Sequence, residues 1–326
     1  MRRAFITGIS GQDGSYLAEF LLGKDYEVHG LVRRFDTSPP YHLKHLLTDS
    51  AAANRLFLYQ GDIEEGALLR HHLIKSKSEE VYHLAGKTQV GLSYEQVEIT
   101  CQTNAMGTLK LLEIVRHLQH PVRLFYASSS EIFGCPDIMP QDEQTPYRPV
   151  TPYGCAKAFA TQMVSVYRRS FGMYACSGIL YNHESPRRGK HFVTQKICRA
   201  AAAISEGQQQ ELRLGSLAVQ RDWGDARDYI RGMWQVLQHP RPEDFVFATG
   251  ELHSVEEVLE IAFATVNLDW RNYVHQDPKL LRPDEPTQSV GNPAKARRLL
   301  GWKCSSTFQQ LIREMTLSAC RSSHGQ

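Results

Sequence analysis

Four side chains in this sequence have the types and spacing for chemistry on a carbinol. Tyr153 and Lys157 stand in the run Tyr153-Gly154-Cys155-Ala156-Lys157. One helical turn separates them, so both point the same way, and the lysine ammonium is expected to stabilise a phenolate and lower the tyrosine pKa toward use as a base. Upstream, the apolar run Leu124 to Ala127 ends in Ser128-Ser129-Ser130-Glu131. A hydroxyl at Ser129 or Ser128, with the phenol, suffices for reversible oxidation of a secondary alcohol. Glu131 adds a second base, able to remove a proton α to the transient ketone. Oxidation followed by α-deprotonation is what an elimination needs.

Such an oxidation calls for a hydride acceptor, and the N-terminus supplies a place for one. Ala4-Phe5-Ile6-Thr7 reads as a short buried strand, followed by Gly8, Gly11 and Gly14 in a G-x-x-G-x-x-G spacing and then by Leu17, Phe20 and Leu21 at helical intervals. Strand, glycine turn and helix in this order let the backbone approach a pyrophosphate, which the helix N-terminus stabilises. The second strand, ending at Val32, is followed by Arg33-Arg34 where an acidic residue would bind the ribose of NAD. Guanidinium groups suit a 2′-phosphate, so NADP is the expected cofactor. In Gly61-Asp62-Ile63, Asp62 either faces the adenine or closes an ordinary turn. The glycine turn, the serine-rich strand end and the Tyr-Lys pair together identify the chain as a member of the short-chain dehydrogenases/reductases, of the extended type.

The elements that must position these groups alternate along the chain. Apolar runs at Glu27 to Val32, Leu56 to Tyr59, Val81 to Ala85, Leu124 to Ala127 and Cys176 to Tyr181 are separated by helical stretches such as Leu109 to Leu118. This pattern predicts an α/β fold, a Rossmann-type doubly wound parallel sheet, with a smaller α/β C-terminal substrate domain. The expected division is 1–180 plus about 223–250 for the NADP-binding unit, and about 181–222 plus 251–326 for the substrate unit. A strand at Phe245 to Ala248 and helices at Val255 to Thr265 and Phe308 to Met315 complete the reading.

Composition sets the outer bounds. With 42% hydrophobic and 22% charged residues, the 326-residue chain is globular rather than disordered. Its net charge of +2 gives no global field for a nucleic-acid polymer, so any anion must be held by local cations. The seven cysteines are scattered without a C-x-x-C, which indicates neither a disulfide framework nor a metal site. The short apolar start lacks a signal-peptide core, and no run is long enough to span a bilayer, so a cytoplasmic protein without membrane partners is expected.

A wider resemblance narrows the reaction. Thr7 to Glu19, Tyr26 to Gly30, Ser128 to Gly134, Phe192 to Ile197, Arg221-Asp222-Trp223-Gly224, Gly291 to Ala296 and above all Asn182-His183-Glu184-Ser185-Pro186-Arg187-Arg188-Gly189 resemble the GDP-mannose 4,6-dehydratase family over almost the whole chain. The resemblance implies that Tyr153 takes the C4 hydroxyl proton, Lys157 holds the cofactor ribose, Ser129 bonds the C4 oxygen and Glu131 acts at C5 and C6. It also implies cofactor contacts from Gln12, Asp13, Ile63, Leu84, Ala85, Thr88, His183 and Arg188. Substrate contacts would come from Asn182, Val193, Lys196, Arg221, Arg282 and Glu285. The partner is then a GDP-sugar, and a homodimer or homotetramer is expected.

The chain also departs from that pattern. Leu84-Ala85-Gly86-Lys87-Thr88 carries a lysine, near the cofactor pyrophosphate or the sugar, where relatives have other residues. Lys87 and Asn104 are similar to features of GDP-6-deoxy-4-keto-mannose reductases, which stand as the alternative enzyme reading. A dehydratase for another GDP-sugar, such as a heptose, and a non-catalytic NADP-binding protein complete the set. The Arg33-Arg34 loop continues as Phe35 to Pro40, unlike the polar loop through which relatives contact a neighbouring subunit.

Overall fold

Seven strands form one parallel sheet in a computed structural model that describes residues 1–33, 40–281 and 286–323. In chain order they are β1 (Arg3–Thr7), β2 (Glu27–Val32), β3 (Leu56–Gln60), β4 (Glu80–His83), β5 (Arg123–Ala127) and β6 (Tyr174–Leu180). Next come two short strands outside the sheet, β7 (Asn182–Glu184) and β8 (Trp223–Asp225), and then the seventh member, β9 (Phe245–Phe247). The spatial order is β9-β6-β5-β4-β1-β2-β3, and every pairing is parallel. Strands buried on both faces should be apolar throughout, and Ala4, Phe5 and Ile6 are fully buried. The order reverses between β1 and β4, the switch point of a doubly wound sheet and the place where it opens a crevice.

Helices cover both faces. On one, α1 (Gln12–Leu22) contributes Leu17 and Leu21 to a core. On the other, α2 (Gly66–Ser76), α3 (Gly107–Arg116) and α4 (Pro152–Phe171) contribute Leu73, Leu112 and Val164. A separate core joins Ile197 of α5 (Val193–Ser205) to helices further along the chain. Before them, α6 (Ala226–Gln238) packs on the first core instead, through Ile230 and Met233. By contrast, α7 (Val255–Thr265) and α8 (Phe308–Ser323) build the second through Leu259 and Ile312. Ala296 and Trp302 pack with the first core, and the Trp302 indole donates to the Asp228 carbonyl at 2.8 Å.

Several boundaries differ from the sequence reading, two of them for visible reasons. The apolar run expected as strand to Ala85 leaves the sheet after His83, because Leu84 N and Ala85 N both donate to the Thr7 hydroxyl at 3.2 Å. The last helix runs to Ser323 rather than Met315, since Met315 and Ala319 continue its buried face. No helix among the described residues is long and apolar enough to cross a membrane.

Candidate active site

Two clefts meet at the carboxyl ends of the strands. The first, about 720 Å³, runs along the glycine turn after β1 and the loop after β4. Gly8 leaves β1 with φ +74°, a conformation L side chains rarely adopt, and a Cβ there would lie 2.8 Å from Ala85 N. Gly11 N–H donates to Gly8 O at 3.1 Å to close the turn. A Cβ on Gly14 would stand 2.2 Å from Gly8 O, so α1 packs this closely only because glycine is present. Gly8, Gly11, Gln12, Asp13, Gly14, Arg33, Asp62, Ile63, Leu84, Ala85 and Thr88 all line this cleft. Arg34 lies outside the described residues. A glycine cradle with no room for side chains, opening on a long crevice across the switch point, fits a dinucleotide.

A buried hydrogen-bond chain fixes the opposite wall. Having accepted two backbone N–H groups, the Thr7 hydroxyl can donate to His83 Nδ1 at 2.8 Å; His83 Nε2 then donates to Thr108 Oγ1 at 3.0 Å. Thr108 passes its proton to the Asn104 carbonyl at 2.7 Å. The chain needs neutral imidazole, and burial, reinforced by the Lys157 charge, holds the His83 pKa down at about 3. Asn104 sits in a π-helical turn, Gln102–Met106. Its carboxamide pins Lys87 through both backbone groups at 2.9 Å. Lys87 therefore belongs to this cleft's lining and is absent from that of the second.

The second cleft, about 370 Å³, is lined by side chains from many elements. Thr151 caps α4 by accepting from Gly154 N at 2.9 Å, and Pro152 opens the helix, which brings Tyr153 and Lys157 to its buried first turns. Ser129, at the end of β5, has extended backbone and accepts from Glu131 N at 3.3 Å. Because successive side chains of an extended segment point oppositely, the two candidate serines separate. Ser128 Oγ meets Thr161 Oγ1 at 2.6 Å inside the core, whereas Ser129 hydrogen-bonds Tyr153. Glu131 lines the same cleft, and its charge acts on the Tyr153 phenol.

The expected effect of Lys157 on the tyrosine is corrected by this geometry. Burial raises the Tyr153 pKa well above its ordinary value, the Ser129 hydrogen bond and Arg188 pull it down, and Glu131 and Asp13 push it up. Lys157 Nζ instead donates to the Ala127 carbonyl at 2.7 Å and lies 5.8 Å from the centre of the phenol ring. Burial lowers its own pKa to about 7. A sequence reveals spacing but not desolvation, and here desolvation dominates.

Asp13 and His183 lock the clefts together. His183 Nε2 is 2.8 Å from Asp13 Oδ2, and its Nδ1 donates to the Tyr181 carbonyl at 2.8 Å. Burial opposes charge on both, yet the pairing prevails: it lowers the Asp13 pKa and raises that of His183. Asn182, Val193 and Arg221 line the second cleft, and Arg188 lines both. Lys196 lines neither; its ammonium donates to the Arg213 carbonyl at 2.7 Å. Arg282 and Glu285 lie outside the described residues. Sequence reasoning did not single out Glu184, Phe192 or Trp223 as lining residues, although each falls in a quoted stretch.

Comparison with known proteins agrees with this arrangement. The family model for GDP-mannose 4,6 dehydratase matches residues 5–315. A GDP-mannose 4,6 dehydratase of Arabidopsis thaliana is 43% identical over 96% of this chain and 88% of its own length. One of Vibrio cholerae is 41% identical over 97% and 93%. Among solved structures, a Streptomyces venezuelae dTDP-glucose 4,6-dehydratase with NAD bound superposes at a TM-score of 0.87, with 24% identity, over 99% of this chain and 98% of that one. The RMD of Pseudomonas aeruginosa, complexed with NADPH, does so at 0.80, with 22% identity, over 98% and 100%. By sequence over nearly its whole length, the chain belongs to the GDP-mannose 4,6-dehydratase family.

Proposed function

We propose that this protein is a GDP-mannose 4,6-dehydratase, converting GDP-mannose to GDP-4-dehydro-6-deoxy-mannose. The observation that carries the reading is a third proton-transfer group: Glu131 shares one cleft with Ser129 and Tyr153, in a chain of this family. A reversible alcohol oxidation needs only the phenol and the hydroxyl. The carboxylate provides for a second deprotonation.

A nicotinamide dinucleotide held at Gly8, Gly11 and Gly14 would supply reversible hydride chemistry, which would leave the overall reaction redox-neutral. Tyr153 accepts the C4 hydroxyl proton in its phenolate form, which the Ser129 hydrogen bond and the Arg188 charge favour against burial, while Ser129 hydrogen-bonds the same oxygen. The resulting C4 ketone acidifies the C5 proton, which Glu131 removes and passes to the C6 hydroxyl so that it leaves as water; the proton held by Tyr153 goes to C5 when C6 is reduced. Lys157 binds the cofactor ribose. Asn182, Val193 and Arg221 bind the substrate, with Arg282 and Glu285 assigned to the GDP end by resemblance, and His183 and Arg188 serve the cofactor; Lys196, outside both clefts, is left without a substrate role. NADP is the preferred cofactor because Arg33 lines the first cleft just beyond β2.

Residues 1–180 with about 223–250 form the NADP-binding unit, and about 181–222 with 251–326 the sugar-nucleotide unit, except that Ala296 and Trp302 pack against the former. Localisation is cytoplasmic, and the assembly is a homodimer or homotetramer on the strength of the resemblance. Incubation with GDP-mannose and NADP⁺ tests the function. A product lighter by one water, with no net change in nicotinamide absorbance, is expected. Inertness toward GDP-mannose together with NADPH-dependent reduction of the 4-keto sugar would overturn it.

A further inference from the structure

The clefts meet at one guanidinium, and its surroundings are unusual. Arg188 lines both cavities, and its charge acts on Asp13, Tyr153 and His183. A turn closed by Arg188 N donating to Ser185 O at 3.0 Å, with Pro186 at its second position, folds the arginine back toward Glu184. The Glu184 side chain is only 1% exposed, and its Oε2 lies 3.1 Å from Arg188 Nε. The same oxygen accepts from Thr194 Oγ1 at 2.5 Å, itself on α5. Arg188 Nε makes no aligned hydrogen bond, so charge rather than geometry holds the pair. From the other side, the Phe192 ring lies 3.5 Å from the guanidinium carbon.

A carboxylate this buried is costly unless it is paired. We propose that Glu184 is a positioning residue, which holds the Arg188 guanidinium at the junction of the two clefts and acts on cofactor and reaction only through that arginine. Glu184 also lines the second cleft, so direct contact with the sugar nucleotide is the competing outcome. The proposal rests on the dehydratase reading. Its test therefore includes cofactor affinity, which can be measured whether or not GDP-mannose is the substrate.

The experiment is a double-mutant cycle of Glu184→Gln and Arg188→Met, read by NADP⁺ calorimetry, by kcat and KM for GDP-mannose, and by melting temperature. Glu184→Gln should weaken NADP⁺ binding and lower kcat/KM, each by about tenfold. In the Arg188→Met background it should change either by less than about twofold, because its target is gone. The double variant should also melt above Arg188→Met alone, which buries an unpaired carboxylate. Glu184→Asp, which keeps the charge, should recover most of the loss, and it guards against a Gln variant that folds poorly. Multiplicative losses in the double variant would assign Glu184 to the substrate instead. An aspartate as impaired as the glutamine, or a fully active glutamine variant, would equally overturn the proposal.

Discussion

The two clefts are built from different materials. The first is shaped by backbone: two glycines that admit no Cβ, and a loop after β4 held by the Thr7-His83-Thr108-Asn104 chain. The second is shaped by side chains brought from β5, α4, β7, α5 and β8. A backbone-built cleft binds a fixed shape and fails as a unit. A side-chain-built cleft can lose one chemical step while keeping its form. Arg188 and the Asp13-His183 pair are where one construction hands over to the other.

That contrast is open to attack, most forcefully at Gly14. Gly14→Ala places a methyl 2.2 Å from Gly8 O. Both NADP⁺ affinity, by about a hundredfold, and unfolding free energy, by about 3 kcal/mol, should fall, as calorimetry and denaturant titration would show. An alanine variant of normal affinity would mean that the backbone does not set the cleft's shape. Arg33→Met probes the arginine of the Arg33-Arg34 pair that lines the first cleft. It should weaken NADP⁺ binding by about 1.5 kcal/mol, roughly tenfold, and leave NAD⁺ binding unchanged. Equal losses for both cofactors would contradict the assignment.

The smallest expected effect concerns the wall beneath the loop. His83 is fully buried with its pKa depressed to about 3, whereas an unfolded histidine titrates near 6.5. The unfolded chain therefore binds the proton that the folded chain refuses. The stability His83 contributes is present above about pH 6.5 and is lost as pH falls toward 3. Between pH 7 and 5.5 the loss should be about 1 kcal/mol, and His83→Gln should abolish that increment. A pH dependence unchanged in the variant would remove His83 from the account.

The same contrast explains what the sequence could disclose. Gly8 and Gly14 were readable because their backbone tolerates no other residue, and the strand-turn-helix order gave them context. Ser129 could not be separated from Ser128 until the strand's phase was known. The Tyr153-Lys157 spacing was legible, but its electrostatic consequence was reversed by burial, which no spacing encodes. Lys87 had two possible neighbours, and the Asn104 staple decides for the first cleft. The side-chain cleft was legible mainly through resemblance, since its groups converge from distant segments. Lys196, carried over that way, points its ammonium at a backbone carbonyl.

The central claim is that Glu131, which lines only the second cleft, serves elimination and not cofactor binding, even though the cofactor reaches that cleft through Lys157 and His183. Glu131→Gln in the enzyme with NADP⁺ and GDP-mannose tests it most directly. The account predicts unchanged NADP⁺ affinity, dehydration slowed by about 10²- to 10⁴-fold, and reduced nicotinamide accumulating in a single turnover because oxidation at C4 proceeds without loss of water. Dehydration at the original rate, or loss of cofactor affinity along with it, would contradict the account.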